Sequence, residues 1–331
     1  MDITNHSEIA LLLSFLITLL TVPLVRRIAF AANIVDYPSR SDVKKIHTTA
    51  KPLLGGLAIF VGVTISLLFA GELSPTLKVC LLLSLIILIL GLLDDRKPLT
   101  YRPRLMVQMI VASIMVFFLP MTPFAFGSFF LAVAISLFWI IGVTNAVNLM
   151  DNIDGAATGV AAIAAASLAV VAHLQGNHLA LVFSLALFGA CLAFLIYNFR
   201  PASIFLGDAG CLFLGFSLAV ISLTEVVVLQ TTIFQYLAFP FLLGVPIFDT
   251  TFATVRRIAK GRAIYLADGS NLTYRFLEKG WSRGRVVLMQ YALQILFSLV
   301  AFGLLYLDSS LALLLLVVGL GVPITLSRYL A

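Results

Sequence analysis

Asn145, Asn148, Asp151 and Asp154 recur at every third position of NAVNLMDNIDG, directly after the apolar run FFLAVAISLFWIIGV. On an α-helix a spacing of three turns the side chain by about 300°, so successive members drift by only about 60° and predict one slanted polar stripe. Asn offers donors and an acceptor, and Asp offers a metal ligand or a base, so such a stripe can address a polar ligand from inside an apolar bundle. Gly155 stands where the chain can turn. GLLDDRKPLTYRPR supplies a second group, Asp94 and Asp95 beside Arg96 and Lys97. Adjacent carboxylates raise one another's proton affinity while nearby cations lower it, a setting for a base or a metal ligand. In SIFLGDAG, Asp208 lies between Gly207 and Gly210, which permit a tight turn and close backbone approach to a phosphate. Together with Asp249 these acids form an oxygen-only set, which suits Mg²⁺, with Mn²⁺ as the alternative, and such ions also bind substrate phosphates.

The elements that must position these residues are membrane helices. Of the 331 residues, 61% are hydrophobic and 11% charged, and the mean hydropathy is +1.11. Soluble domains carry about 25% charged residues. Apolar runs long enough to cross a bilayer lie near 8–29, 53–71, 76–93, 105–121, 127–144, 156–173, 179–197, 210–229, 232–253, 286–306 and 310–327. This predicts an all-α polytopic membrane protein of about 10–11 transmembrane helices, organised as a single domain over residues 1–331. The first run begins MDITNHSE, without a basic n-region, and is followed by Arg26 and Arg27, so it is expected to remain as a helix and not be cleaved as a signal peptide.

Numbering the spans alternately places 20 of the 21 Lys and Arg on one side, with Lys78 alone opposite. The positive-inside rule then puts the N-terminus outside and the C-terminus in the cytoplasm of a multi-pass plasma-membrane protein. The net charge of +6 is accounted for by cytoplasm and anionic lipid headgroups, so no nucleic-acid partner is implied. The acids all fall at the cytoplasmic ends of spans, where ionisable groups are costly and mark a cavity or pathway. Cys80, Cys191 and Cys211 share no metal-ligand spacing and read as small buried hydrophobes.

The order and spacing of these motifs resemble the polyprenyl-phosphate N-acetylhexosamine-1-phosphate transferase family, which includes GlcNAc-1-phosphate transferases and phospho-MurNAc-pentapeptide transferase. The resemblance runs from about Asp36 to Arg285. VDYPSRSDVKKIHTTAKPLLGG is similar to the family's first inner loop, DDRKP to its paired-aspartate motif, NAVNLMDNIDG to its NxxNxxDGxDG motif and NFRPASIFLGDAG to its glycine-bounded aspartate motif. PIFDTTFATVRR and the basic loop after it are similar to the ninth helix and the largest inner loop. Three departures stand out: Asn152 where the family usually has Gly, Pro98 where many members have Asp, and DGSNLTYRF where the last loop commonly reads DxxHxHHRL. Asp268 and Arg275 survive there, but Asn271, Thr273 and Tyr274 replace the histidines, which leaves the sugar identity open.

The resemblance implies transfer of a sugar 1-phosphate, most simply GlcNAc 1-phosphate, from a UDP-sugar to polyprenyl phosphate such as undecaprenyl phosphate, with release of UMP. It implies Mg²⁺ held chiefly by Asp208, with Asp151 or Asp154 assisting, and Asp94 or Asp95 orienting or deprotonating the lipid phosphate. For substrate it points to Lys45, His47 and Lys51 in the first inner loop, to Asn145, Asn148 and Asn198, and to Asp268 and Arg275. Related membrane enzymes commonly form homodimers, though no residue here specifies one. An ion-coupled transporter is the competing class, and it expects acids near the bilayer midplane or an inverted repeat. An intramembrane aspartyl protease leaves the Asn-bearing stripe without a role.

Overall fold

The computed structural model describes residues 3–38, 49–70, 74–119, 128–226, 233–263 and 269–330. Thirteen helices are seen among them: α1 (Ile3–Ala31), α2 (Gly55–Phe69), α3 (Pro75–Arg96), α4 (Tyr101–Phe118), α5 (Phe129–Met150), α6 (Ala156–Gln175), α7 (His178–Asn198), α8 (Gly207–Val226), α9 (Ile233–Leu242), α10 (Gly244–Ala259), α11 (Leu272–Glu278), α12 (Arg283–Tyr306) and α13 (Ser309–Leu330). Backbone groups in a bilayer must be satisfied internally, which is why apolar runs of this length become helices. Nine of the helices are long and apolar enough to span, and α9 with α10 forms an apolar pair bent by 82°, either a broken tenth span or a re-entrant loop. With α2, which is apolar but only 15 residues long, these account for the eleven runs read from the sequence. The bend divides the run near 232–253 that the sequence pattern treats as one continuous helix. Leu243 interrupts it just after Pro240, and proline removes a helical hydrogen bond.

Helix α8 is the axis of the bundle. It packs against α3, α5, α2 and α6, and nearly every side chain along it is buried. Outer helices such as α1, α4 and α13 bury one stripe and present Leu, Ile and Phe outward, as expected where lipid covers them. Close approach fixes the start of α8. A methyl group added at Gly56 meets the Gly210 backbone at 2.2 Å, and one added at Gly91 meets Ala209 Cα at 2.3 Å. Two short strands, β1 (Val35–Asp36) and β2 (Lys51–Pro52), pair antiparallel and bring the two ends of the first loop together above α2.

Candidate active site

The ends of α3, α5, α7, α8 and α12, together with the β1–β2 pair, surround one cavity of about 790 Å³. Asp95, Asp151, Asp154 and Asp208 line it, with Asp36, Asn148 and Lys51. The predicted stripe is only half helical. Helix α5 ends at Met150, Asp151 occupies its C-cap with φ −78° and ψ 70°, and Gly155 turns the chain at φ 80° into α6. Asp and Asn compete with helical hydrogen bonds through their own side chains, and the DNIDG run supplies three of them before a left-handed glycine. Asp151 and Asp154 therefore reach the cavity from a turn, while Asn145 and Asn148 reach inward from the helix.

Asp208 lies in the first turn of α8. Gly207 before it has φ 74°, and a side chain there meets the Leu53 carbonyl at 2.5 Å and Asp95 Oδ2 at 2.7 Å. Asp95 caps the helix from outside: its Oδ1 accepts from Asp208 N–H at 2.8 Å and its Oδ2 from Ala209 N–H at 3.1 Å. An anion at a helix N-terminus is favoured by the free N–H groups and the helix dipole. Asn148 Nδ2 donates to Asp208 Oδ1 at 2.5 Å, and its Oδ1 accepts from Arg104 Nη2 at 3.0 Å. Arg104 also pairs with Asp94, Nη1 to Oδ2 at 2.7 Å. One polar chain thus runs Asp94, Arg104, Asn148, Asp208 through α3, α4, α5 and α8.

Asp94 differs from its neighbour. It is buried, also accepts from Leu99 N–H at 2.7 Å, and is not among the residues lining the cavity. Asn145 likewise faces the bundle, bonded reciprocally to Gln108 and to the Ile141 carbonyl. Asn198 reaches the cavity edge but is fully engaged: its Oδ1 accepts from Gly155 N–H and Thr158 Oγ1, and its Nδ2 donates to the Ile204 carbonyl. Lys51 and Asp154 grip the same residue, Nζ donating to the Ala202 carbonyl at 2.5 Å and Oδ2 accepting from Ala202 N–H at 2.9 Å.

The last loop divides its three departures. Tyr274 stands on the cavity wall. Asn271 caps α11 by accepting from Tyr274 N–H, and Thr273 Oγ1 accepts from Gln290 Nε2. Arg275 is placed elsewhere, held on the Leu330 carbonyl and Glu278. Asp249, buried in α10, accepts from Leu272 N–H at 2.6 Å and so holds the start of α11. Lys45, His47 and Asp268 lie outside the described residues.

Cys211 goes beyond the sequence reading. Its thiol lines the cavity and donates to Asp151 Oδ2 at 3.1 Å; its place one turn after Asp208 was the available signal. Asp36, Arg104, Arg200 and Arg283 were also missed. Asp36 reaches the cavity through a strand pair only two residues long, too short to leave a sequence pattern. Burial pushes the Asp151 carboxyl up to about 6; the Cys211 hydrogen bond opposes the rise, and the Asp208 and Asp154 charges add to it. What the arrangement offers chemically is a carboxylate cluster with amide donors, beside basic side chains, at one end of a membrane bundle.

The sequence pattern of glycosyl transferase family 4 matches residues 77–226. The chain is 37% identical over 310 residues to a probable undecaprenyl-phosphate N-acetylglucosaminyl 1-phosphate transferase of Bacillus subtilis, covering 90% of this chain and 86% of that one. It is 32% identical over 322 residues to a phospho-N-acetylmuramoyl-pentapeptide-transferase of a Geobacillus species, covering 88% and 95%. A decaprenyl-phosphate N-acetylglucosaminephosphotransferase of Mycobacterium leprae is 31% identical over 338 residues, covering 89% and 83%.

Proposed function

The chain belongs to glycosyl transferase family 4, and from that premise we infer how this polyprenyl-phosphate sugar-phosphate transferase of the plasma membrane works. The donor is a UDP-N-acetylhexosamine, first UDP-GlcNAc, and the acceptor is undecaprenyl phosphate. An acceptor phosphate oxygen attacks the β-phosphorus, the bond from that phosphorus to the bridging oxygen breaks, and UMP leaves. A polyprenyl diphosphate-linked sugar remains, the first membrane step of a cell-envelope glycan. The cavity opens to the cytoplasm in this reading, with the N-terminus outside.

The observation that carries it is the convergence of Asp95, Asp151 and Asp208 with Asn148 on one cavity. Phosphoryl transfer of this kind depends mainly on positioning and charge neutralisation. Among the described residues no group of three His, Cys, Asp or Glu makes a ready metal cage. Asp208 and Asp151 both line the cavity with carboxylate oxygens, and Mg²⁺ takes one or two protein carboxylates and completes its shell with water and substrate phosphates. Asp208 and Asp151 would hold it, where it would neutralise charge on the diphosphate.

The remaining work falls to the chain itself. Asn148 holds Asp208 in one orientation, and Asp95 keeps the Asp208 and Ala209 N–H groups, and with them the first turn of α8, in place. At neutral pH a phosphate monoester is largely dianionic, with a second pKa of about 6, so the acceptor needs orientation more than a strong base. UMP release by the purified protein in detergent, with undecaprenyl phosphate, Mg²⁺ and UDP-GlcNAc, UDP-GalNAc or a 6-deoxy-HexNAc donor, tests the reading. Lipid-dependent release lost in Asp208→Asn supports it; no release from any donor by folded protein overturns it.

A further inference from the structure

Arg200 lies near the start of the connection from α7 to α8 and Arg283 opens α12, and the fold brings both onto the wall of the cavity with Lys51. Arg283 is near enough to Arg200 for their charges to repel, and near enough to Asp154 to be drawn to it. Asp154 meanwhile accepts from Ala202 N–H. Five aspartates on the same wall offset these charges, but the two guanidinium groups lie on one side of the cavity as a pair of like charges that a phosphoryl dianion can bridge. Arg283 also stands in the first turn of α12, the end of a helix that disfavours cations. Placements that oppose local preference are expected where function requires them. Serving the positive-inside rule does not require this arrangement. Arg285, two positions on, is exposed like Arg200 but is absent from the cavity lining, so a cationic residue near this end of α12 need not line the cavity.

We propose that Arg200 and Arg283 form a phosphate clamp, a subsite for a phosphoryl group separate from the Asp208 and Asp151 carboxylates. This rests on the transferase reading above. The guanidinium fork matches two phosphate oxygens at once, which a lysine ammonium cannot do. The phosphoryl group belongs either to the donor diphosphate or to the lipid acceptor, and the two sources separate kinetically.

The test compares Arg200→Gln, Arg283→Gln, Arg283→Lys and Arg285→Gln in the full chain, following UMP release at varied donor and varied undecaprenyl phosphate, with UDP binding measured by calorimetry. A charge-assisted hydrogen bond lost in a partly open site raises KM about tenfold, with kcat changed less. Arg283→Lys should recover part of the loss, and Arg285→Gln should match the unaltered protein. A rise confined to donor KM, with weaker UDP binding, assigns the clamp to the diphosphate; a rise confined to acceptor KM assigns it to the lipid phosphate. Unchanged KM for both, or an equal effect from Arg285→Gln, overturns the clamp. If the unaltered protein turns over no donor, the transferase reading falls. UDP binding weakened by Arg283→Gln then still upholds an anion clamp, and UDP binding that is unchanged or absent removes it as well.

Discussion

Helix α8 carries an acid near each end, and the two could hardly be more different. Asp208 accepts from Asn148, shares a polar chain with Arg104 and Asp94, and faces a cavity that four other aspartates and Lys51 also line. Glu225 is fully buried, and neither carboxylate oxygen has a hydrogen-bond partner among the described residues. Burial of an acid inside a membrane bundle therefore does not by itself mark a working site. What marks one is convergence: acids and amides from several helices, oriented by one another, around space that a ligand can enter.

The comparison breaks outright if Asp208 proves dispensable. Asp208→Asn keeps shape and volume, so the protein should fold, while UMP release should fall by about 10³-fold or more through loss of charge at the transferring phosphate. Next in size is Asn148→Ala. It removes the amide that fixes Asp208 and leaves Arg104 facing Asp94 alone, and misplacement of this kind costs about 10²-fold in rate. Mg²⁺ should raise the melting temperature of the unaltered protein and not that of Asp208→Asn, because a ligand stabilises only the state that binds it. An equal shift in both would remove Asp208 from the metal.

Asn198→Ala sharpens the contrast from another side. This residue lies at the cavity edge, yet its oxygen and nitrogen are both spent on the backbone and on Thr158. Its loss should lower stability by about 2 kcal/mol, since buried donors and an acceptor lose their partner. Turnover per folded molecule, measured well below the melting transition, should fall far less than in Asn148→Ala. A collapse of kcat with unchanged melting would make Asn198 part of the chemistry.

The helices were legible because the bilayer leaves the chain few alternatives; each apolar run became helical, and only the bent pair α9 and α10 departed from one continuous helix. The site was legible by type and less so by role. Asp151, Asp154, Asp95 and Asp208 do share a cavity. The spacing of three could not show that α5 stops at Met150, because the competition between helix and side-chain turns is decided by the few residues before Gly155. The DD pair could not show that Arg104 takes Asp94 out of the cavity while Asp95 turns to cap α8. Such roles depend on which partner from another helix arrives, and that is a property of packing. Cys211 illustrates the reverse: a residue assigned to bulk packing became a donor to Asp151 because α5 and α8 meet there.

Glu225→Gln should have the smallest effect, and its sign is the informative part. The Tyr306 hydroxyl lies close enough to the buried carboxylate to feel its charge. Ionising an acid in such surroundings is costly, whereas an amide of the same shape carries no charge to desolvate. The substitution should leave UMP release within about twofold and keep or raise stability, by about 1 kcal/mol at most, where polar losses at a paired site would lower it. Asp208→Asn and Glu225→Gln make the same chemical change at the two ends of one helix. If Glu225→Gln instead silences the enzyme or unfolds it, the far end of α8 holds a partner for that carboxylate, and convergence on a cavity is not what separates the two acids.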